Sequence, residues 1–335
     1  MGKYNKLTRN FIFGNAARTA AQTAMLMAVL TLCSKLLGFV REMIIANYFG
    51  ASHIVDAYVM SVAMPGILFG GIFSSIATAY MPIYSKINEE RGKEESSRFT
   101  SEVINLFIIF SIVASIVGII FSDQLVSFFA SGFDGETAKL TSFFVKITFS
   151  YTLLSSVASI LEIYLQYKGI FLSQIIAGYT QNIMVIVIII VSAYSSYYYL
   201  AFGMLLGTGC RLLYIIFTAK KTQLKYSVSL KMKGTAKTIA VLAMPVFIGS
   251  SIQQVSTFVD KTLASGLVEG SVSALNYAML VVQLITGLTT SIFTTIVYPS
   301  LAKANSLEDY DRLNSIVSTG TTLILMVSIP FSLGA

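Results

Sequence analysis

The sequence predicts an all-α polytopic membrane protein, on three observations. The 335 residues are 55% hydrophobic and only 12% charged, about half the charge of an ordinary soluble chain. Mean hydropathy is +0.75. The apolar residues come in runs close to the ~20 residues that a helix needs to cross the hydrocarbon of a bilayer. Nine such runs cover 23–46, 54–80, 103–121, 140–165, 171–192, 199–218, 238–266, 272–298 and 313–335. The ninth stops in Ile329-Pro330-Phe331 and four further residues with no basic flank, so the chain is expected to be truncated at its C-terminus. Residues 1–20 are basic and mixed and lack the short apolar core of a signal peptide, so no cleavage is expected.

The connections set the orientation. Seventeen of the 23 Lys and Arg residues lie in the N-terminal segment and the even-numbered connections: Lys3, Lys6, Arg9 and Arg18; Lys86, Arg91, Lys93 and Arg98; Lys168; Lys220, Lys221, Lys225, Lys231, Lys233 and Lys237; Lys303 and Arg312. Odd-numbered connections carry only Lys139. Cytoplasmic flanks retain basic residues, which places the N-terminus in the cytoplasm. The net charge of +7 is thus a topology signal with some attraction to anionic phospholipids, and no nucleic-acid partner is expected.

Other classes fall away on composition. Cys33 and Cys210 lie in apolar runs and His53 is the sole histidine, so neither a disulfide framework nor a His or thiolate metal centre is expected. The longest connections, 85–102 and 219–237, read as solvated, charge-mixed loops too small to fold as domains. Without a sizeable extramembrane domain or a phosphate-cradling glycine loop, the chain is not expected to be an enzyme.

Charges inside the spans carry the chemistry. A charge at mid-membrane costs roughly 2.5–3.5 kcal/mol on insertion scales, so it calls for a partner, a wet cavity or an interfacial position. On the first span Ser34, Lys35, Gly38, Arg41 and Glu42 share one arc at 100° per residue, while Leu36, Leu37, Phe39 and Met43 cover the rest. Either this stripe lines a functional cavity, or Lys35 and Arg41 only neutralise Glu42 and Asp56. On the seventh span Gly249, Ser250, Gln253, Ser256, Thr257, Asp260 and Lys261 share another arc. Its Ser, Gln and Thr members read as interhelical glue. Asp260 reads as a cation or proton site, or as a salt-bridge partner. Lys146, Arg211 and Glu162 read as structural, Glu162 being solvated near a span end; His53 reads as solvated in a tight turn. Tyr194, Tyr197, Tyr198 and Tyr199 read as an interfacial belt.

The chain also repeats itself. Phe39-Val40 before Arg41-Glu42 matches Phe258-Val259 before Asp260-Lys261, and Tyr58 matches Tyr277, all at an offset of 219 residues. Pro82 through Lys86 resembles Pro299 through Lys303 at an offset of 217. The parallel repeat predicts a cytoplasmic segment 1–22, an N-lobe of six helices over 23–218, a linker over 219–237 and an incomplete C-lobe over 238–335. Two such lobes would enclose a shared central cavity between the first and seventh spans.

These residues resemble a known family. Ser34-Lys35-Leu36-Leu37-Gly38-Phe39-Val40-Arg41-Glu42, followed by Phe49-Gly50-Ala51, Asp56-Ala57 and Pro65, resembles the first hairpin of the MurJ (MviN) lipid II flippases of the MOP exporter superfamily. The run from Leu263 to Ala278 and Tyr298-Pro299-Ser300-Leu301 resemble their seventh-to-eighth connection and eighth-helix end. The resemblance implies a MOP/MATE-like fold, with a six-helix N-lobe and the first two to three helices of a second lobe. It implies a multi-pass protein of the bacterial plasma (inner) membrane that moves lipid II, the undecaprenyl-pyrophosphate-linked peptidoglycan precursor, between leaflets by alternating access. Ser34, Lys35, Arg41, Glu42 and Asp56 match the family's substrate-site positions, and Asp260 matches a sodium-site acid of some members. The cell-wall synthesis machinery is an implied partner, and sodium the implied ion.

Two positions depart from the family. An arginine common four residues after the second-helix proline is Phe69 here, and one after Tyr277-Ala278 is Leu280. Lys261, Arg211 or residues beyond 335 then compensate, or the cargo differs. The alternatives are a related MOP exporter for another polyprenyl-linked oligosaccharide or amphiphile, and a non-transporting truncated remnant or scaffold.

Overall fold

The computed structural model describes residues 16–228, 235–292 and 310–334, and the elements among them are helices. They are α1 Ala16–Phe49, α2 His53–Ile120, α3 Ser122–Phe129, α4 Gly135–Tyr167, α5 Leu172–Tyr194, a 3₁₀ turn Tyr197–Tyr199, α6 Leu200–Lys221, α7 Thr235–Ser265, α8 Ser271–Ile292 and α9 Tyr310–Gly334. Lys3, Lys6, Arg9, Lys231, Lys233 and the 299–303 half of the repeat lie outside the described residues. By internal packing the helices fall into two units, Met1–Phe39 with Tyr277–Ala335, and Val40–Asn276.

Among the described residues, α2, α4, α5, α6 with its 3₁₀ turn, and α7 are long and apolar enough to cross a membrane. The apolar stretches Ser271–Gln283 of α8 and Leu313–Met326 of α9 are shorter. At 68 residues, α2 would run about 100 Å if straight, three times the hydrocarbon thickness. It contains the second and third spans, folded back on each other at Gly92.

That reversal corrects the expected loop over 85–102. Helix continues on both sides of Gly92, whose φ of 84° and ψ of −177° suit a residue without Cβ. The charges that suggested a loop pair along the helices, Lys86 with Glu90 at 3.9 Å and Arg98 with the buried Glu102 at 3.4 Å, as i,i+4 neighbours on a helix do. The inside is a core. Tyr80 and Tyr84 stack with centroids 5.6 Å apart, Tyr80 stacks on Phe99 at 5.5 Å, and the Tyr80 and Thr100 hydroxyls hydrogen-bond at 2.7 Å. Phe107, Ile160, Tyr164, Leu165 and Ile215 extend this cluster into α4 and α6.

α4 packs along α2, α6 against α5 and α4, and α7 against α2. Small hydroxyl residues let these helices meet closely, as Ser111 Oγ does with Ser156 Oγ at 2.9 Å. The connection before α4 holds a helix that the sequence did not announce, α3, whose Val126 and Phe129 are buried. Asp134 caps α4 by accepting the Thr137 N–H at 2.8 Å, which holds its carboxyl below the ordinary value of 3.8.

The second connection expected to be a solvated loop, 219–237, is helical at both ends: residues 219–221 finish α6 and 235–237 begin α7. Residues 225–227 are hydrogen-bonded to α2. The Ser227 N–H donates to Ser101 Oγ at 3.1 Å, Asn105 Nδ2 donates to the Ser227 carbonyl at 3.1 Å, and the Tyr226 hydroxyl donates to Asn105 Oδ1.

Candidate functional site

The polar stripe of α1 is divided between the units. Ser34 and Lys35 belong to the first, where the Lys35 ammonium lies over Gly287 of α8, so close that a Cβ there would sit 2.4 Å from Nζ. Arg41, Glu42, Asp56, Asp260 and Lys261 all belong to the second.

In that unit Arg41 is the centre. Its Nε donates to Glu42 Oε1 at 3.1 Å and its Nη2 to the same oxygen at 2.5 Å, while Nη1 donates to Asn182 Oδ1 on α5 at 3.1 Å. Asn276 Nδ2 reaches the other Glu42 oxygen at 3.5 Å. Tyr58 is buried beside this pair, and Lys261 is subject to the charges of Glu42 and Asp56. Arg41 and Glu42 therefore form a contact ion pair in this unit. The Arg41 side chain keeps 20% exposure and that of Glu42 9%, so the pair is partly open.

Asp56 has a defined mechanical task. Its Oδ2 accepts the Gly270 N–H and its Oδ1 the Ser273 N–H, both at 2.7 Å. A carboxylate 3% exposed thus caps α8 from another helix, where free N–H groups and the helix dipole favour negative charge. Gly270 makes the approach possible. Its φ is 86° and a Cβ would lie 2.5 Å from the Ala51 carbonyl. The same turn is fastened beside it by Glu269, which accepts the His53 N–H and meets His53 Nδ1, both at 2.9 Å. These bonds hold the Glu269 carboxyl below its ordinary 4.5. His53 is therefore half-exposed and partnered, where free solvation was expected. Thr262 Oγ1 donates to the Phe129 carbonyl at 2.8 Å and the Gly132 N–H to Ser265 Oγ at 3.3 Å, so the α1–α2, α3–α4 and α7–α8 turns are joined.

A second charged cluster corrects the expectation for Glu162. It is 4% exposed, and Arg211 forks onto it with Nε to Oε1 and Nη2 to Oε2, both at 2.7 Å. The charge is buried because α4 continues to Tyr167 and α6 packs over it. Arg211 Nη1 donates to Gln181 Oε1 at 3.1 Å. Arg211 thus has one donor of each of its three nitrogens engaged by Glu162 and Gln181. Phe69 fills its position with an aromatic cluster, edge-on to Phe110 at 5.6 Å and Phe149 at 6.2 Å. Ser250 Oγ reaches the Gly71 carbonyl at 3.4 Å, the interhelical role expected of it.

Asp260 has no hydrogen-bond or ion-pair partner among the described residues. Nor do those residues gather three or more His, Cys, Asp or Glu side chains that could hold a metal. Asn182 and Asn276 were missed by the sequence reading. The adjacent amides Gln181-Asn182 in the middle of a 23-residue apolar helix were the available signal.

Residues 45–335 match the family model described as lipid II flippase MurJ. Among curated relatives, the probable lipid II flippase MurJ of Buchnera aphidicola subsp. Acyrthosiphon pisum is 27% identical over 319 residues, covering 91% of this chain and 61% of that protein. That of Helicobacter pylori is 29% identical over 283 residues, covering 77% and 60%. The chain thus spans about three-fifths of the length of these relatives. A solved structure titled lipid II flippase MurJ, inward closed conformation, superposes with a TM-score of 0.76 at 26% identity, over 91% of this chain and 64% of that one. An outward-facing MATE family multidrug transporter of the MOP superfamily shares the fold, with a TM-score of 0.61 at 15% identity over 92% of this chain and 70% of that one.

Proposed function

Because the chain belongs to the MurJ family of lipid II flippases, we propose that it works as a flippase for an undecaprenyl-pyrophosphate-linked peptidoglycan precursor, moving it from the inner to the outer leaflet. The observation that carries this reading is Arg41, a guanidinium held inside membrane helices by Glu42 and Asn182. A diphosphate carries clustered negative charge and is bound best by a planar, forked donor. Lys261, on α7 of the same unit, is a second cation available to the cargo in this reading. Glu42 occupies the fork in this arrangement, so the diphosphate binds by taking its place on Nε and Nη2.

The N-terminus is cytoplasmic in this reading, and the cargo enters from that side while the joined α1–α2, α3–α4 and α7–α8 turns close the other. Alternating access then requires the Asp56 cap and the His53–Glu269 contact to release. Anionic phospholipid headgroups gather at the basic flanks, and the enzymes that make and consume the precursor are the functional neighbours.

The test is complementation. A bacterium depleted of its own flippase is supplied with the full coding sequence of this protein. Growth is restored by the wild type and lost with Arg41→Ala at equal membrane abundance. A wild-type protein that accumulates in the membrane without restoring growth overturns the proposal.

A further inference from the structure

The two arginine clusters meet on α5. Gln181 and Asn182 are consecutive residues there, so their side chains leave the helix about 100° apart and face different neighbours. Asn182 Oδ1 accepts from Arg41, and its Nδ2 donates to the Gly178 carbonyl at 3.1 Å. A guanidinium accepts no hydrogen bonds, so this amide has one orientation. Gln181 is fixed in the same way, its Oε1 accepting from Arg211 and its Nε2 donating to Thr208 Oγ1 at 3.3 Å. Arg211 is in turn locked on Glu162. A buried ion pair is a weak source of stability once the desolvation of both charges is counted, and its better-attested use is to fix one arrangement. Here the arrangement it fixes is the rotation of α5. Turning that helix by about 20° would carry a side-chain tip roughly 6 Å from the axis through about 2 Å, enough to part Asn182 from Arg41.

We propose that Glu162 and Arg211, acting through Gln181, are positioning residues for the cargo-binding arginine: they set α5 so that Asn182 aims the Arg41 guanidinium. Both Glu162 oxygens are held by Arg211, so the pair acts on the cargo through Gln181 and α5. The inference rests on the reading of Arg41 as the diphosphate-binding group.

The experiment is a double-mutant cycle on the full gene product in lipid nanodiscs, with undecaprenyl pyrophosphate as the probe. Glu162→Gln, Gln181→Leu and Asn182→Ala are each expected to weaken binding about tenfold. Gln181→Leu leaves the ion pair intact and serves if Glu162→Gln does not fold. Adding either change to Asn182→Ala is expected to cost nothing more, because all act along one line of contacts. Losses that multiply in the double variants, or full affinity in Gln181→Leu, overturn the inference. Arg41→Gln is the separate control: unchanged affinity there sinks the reading of Arg41, whereas binding lost there but kept in Gln181→Leu sinks only the positioning role.

Discussion

Among the described residues, the Arg41–Glu42 and Arg211–Glu162 pairs are built on opposite plans. Arg41 and Glu42 are neighbours in sequence and share a single carboxylate oxygen, with the carboxylate 9% exposed. Arg211 and Glu162 come from different helices and match two donors to two oxygens, with the carboxylate 4% exposed. The two arginines are similarly accessible, so the difference lies in the geometry: a one-oxygen contact exchanges more readily for another anion. A fork-to-fork contact with no remaining acceptor stays closed. The contrast explains why the less perfect pair is the one assigned to the cargo.

Deleting each carboxylate separates the plans most strongly. Glu162→Ala strips two matched charge-assisted hydrogen bonds from Arg211, at a cost of about 3 kcal/mol. Glu42→Ala removes a one-oxygen contact and leaves Arg41 with Asn182, at about 1–2 kcal/mol. With no tryptophan in the chain, tyrosine fluorescence on heating is the measurement. Glu42→Ala should at the same time tighten binding of a polyprenyl diphosphate by removing the competitor for the fork. Equal stability losses at the two sites would erase the distinction.

Asp56 provides an intermediate case. The family resemblance placed it with the cavity residues, and here both of its oxygens are bonded to backbone N–H groups of Gly270 and Ser273. Asp56→Asn keeps one acceptor and turns an amide donor toward the other N–H, for an expected loss of about 2 kcal/mol. The loss should appear as faster amide exchange at the start of α8, before any change in the affinity of Arg41 for diphosphate. An affinity loss without faster exchange would return Asp56 to the cargo site.

How far the sequence could be read follows the same division. Apolar runs of membrane length located the spans, because burial in lipid demands them whatever their neighbours. Arg41, Glu42 and Lys261 were visible because a charge in an apolar run is costly wherever it points. What stayed hidden depends on partners distant in sequence. Glu162 looked solvated because Arg211, 49 residues away, supplies the charge that permits its burial. Residues 85–102 looked like a loop because i,i+4 ion pairs and solvated charge have the same composition. Asn182 drew no notice because a neutral amide in a helix gives no sign of what it faces.

The smallest effect comes at the least buried carboxylate. Glu269 is pulled below its ordinary 4.5 first by the His53 backbone N–H and then by the His53 ring. A carboxyl whose folded value is depressed contributes stability above its unfolded value and loses it as pH falls through the folded one. The α7–α8 turn should therefore stay fastened at neutral pH and loosen only on acidification below about pH 4.5, near the unfolded value for a glutamate. Amide exchange at residues 266–270 measures this, and Glu269→Gln should flatten the response. Asp134, also depressed, titrates in a neighbouring range, so the Asp134→Asn variant is needed beside it. If acidification loosens the turn equally in Glu269→Gln and the wild type, the Asp56 cap rather than the exposed contact is what holds it, and closure of this end depends on the buried carboxylate alone.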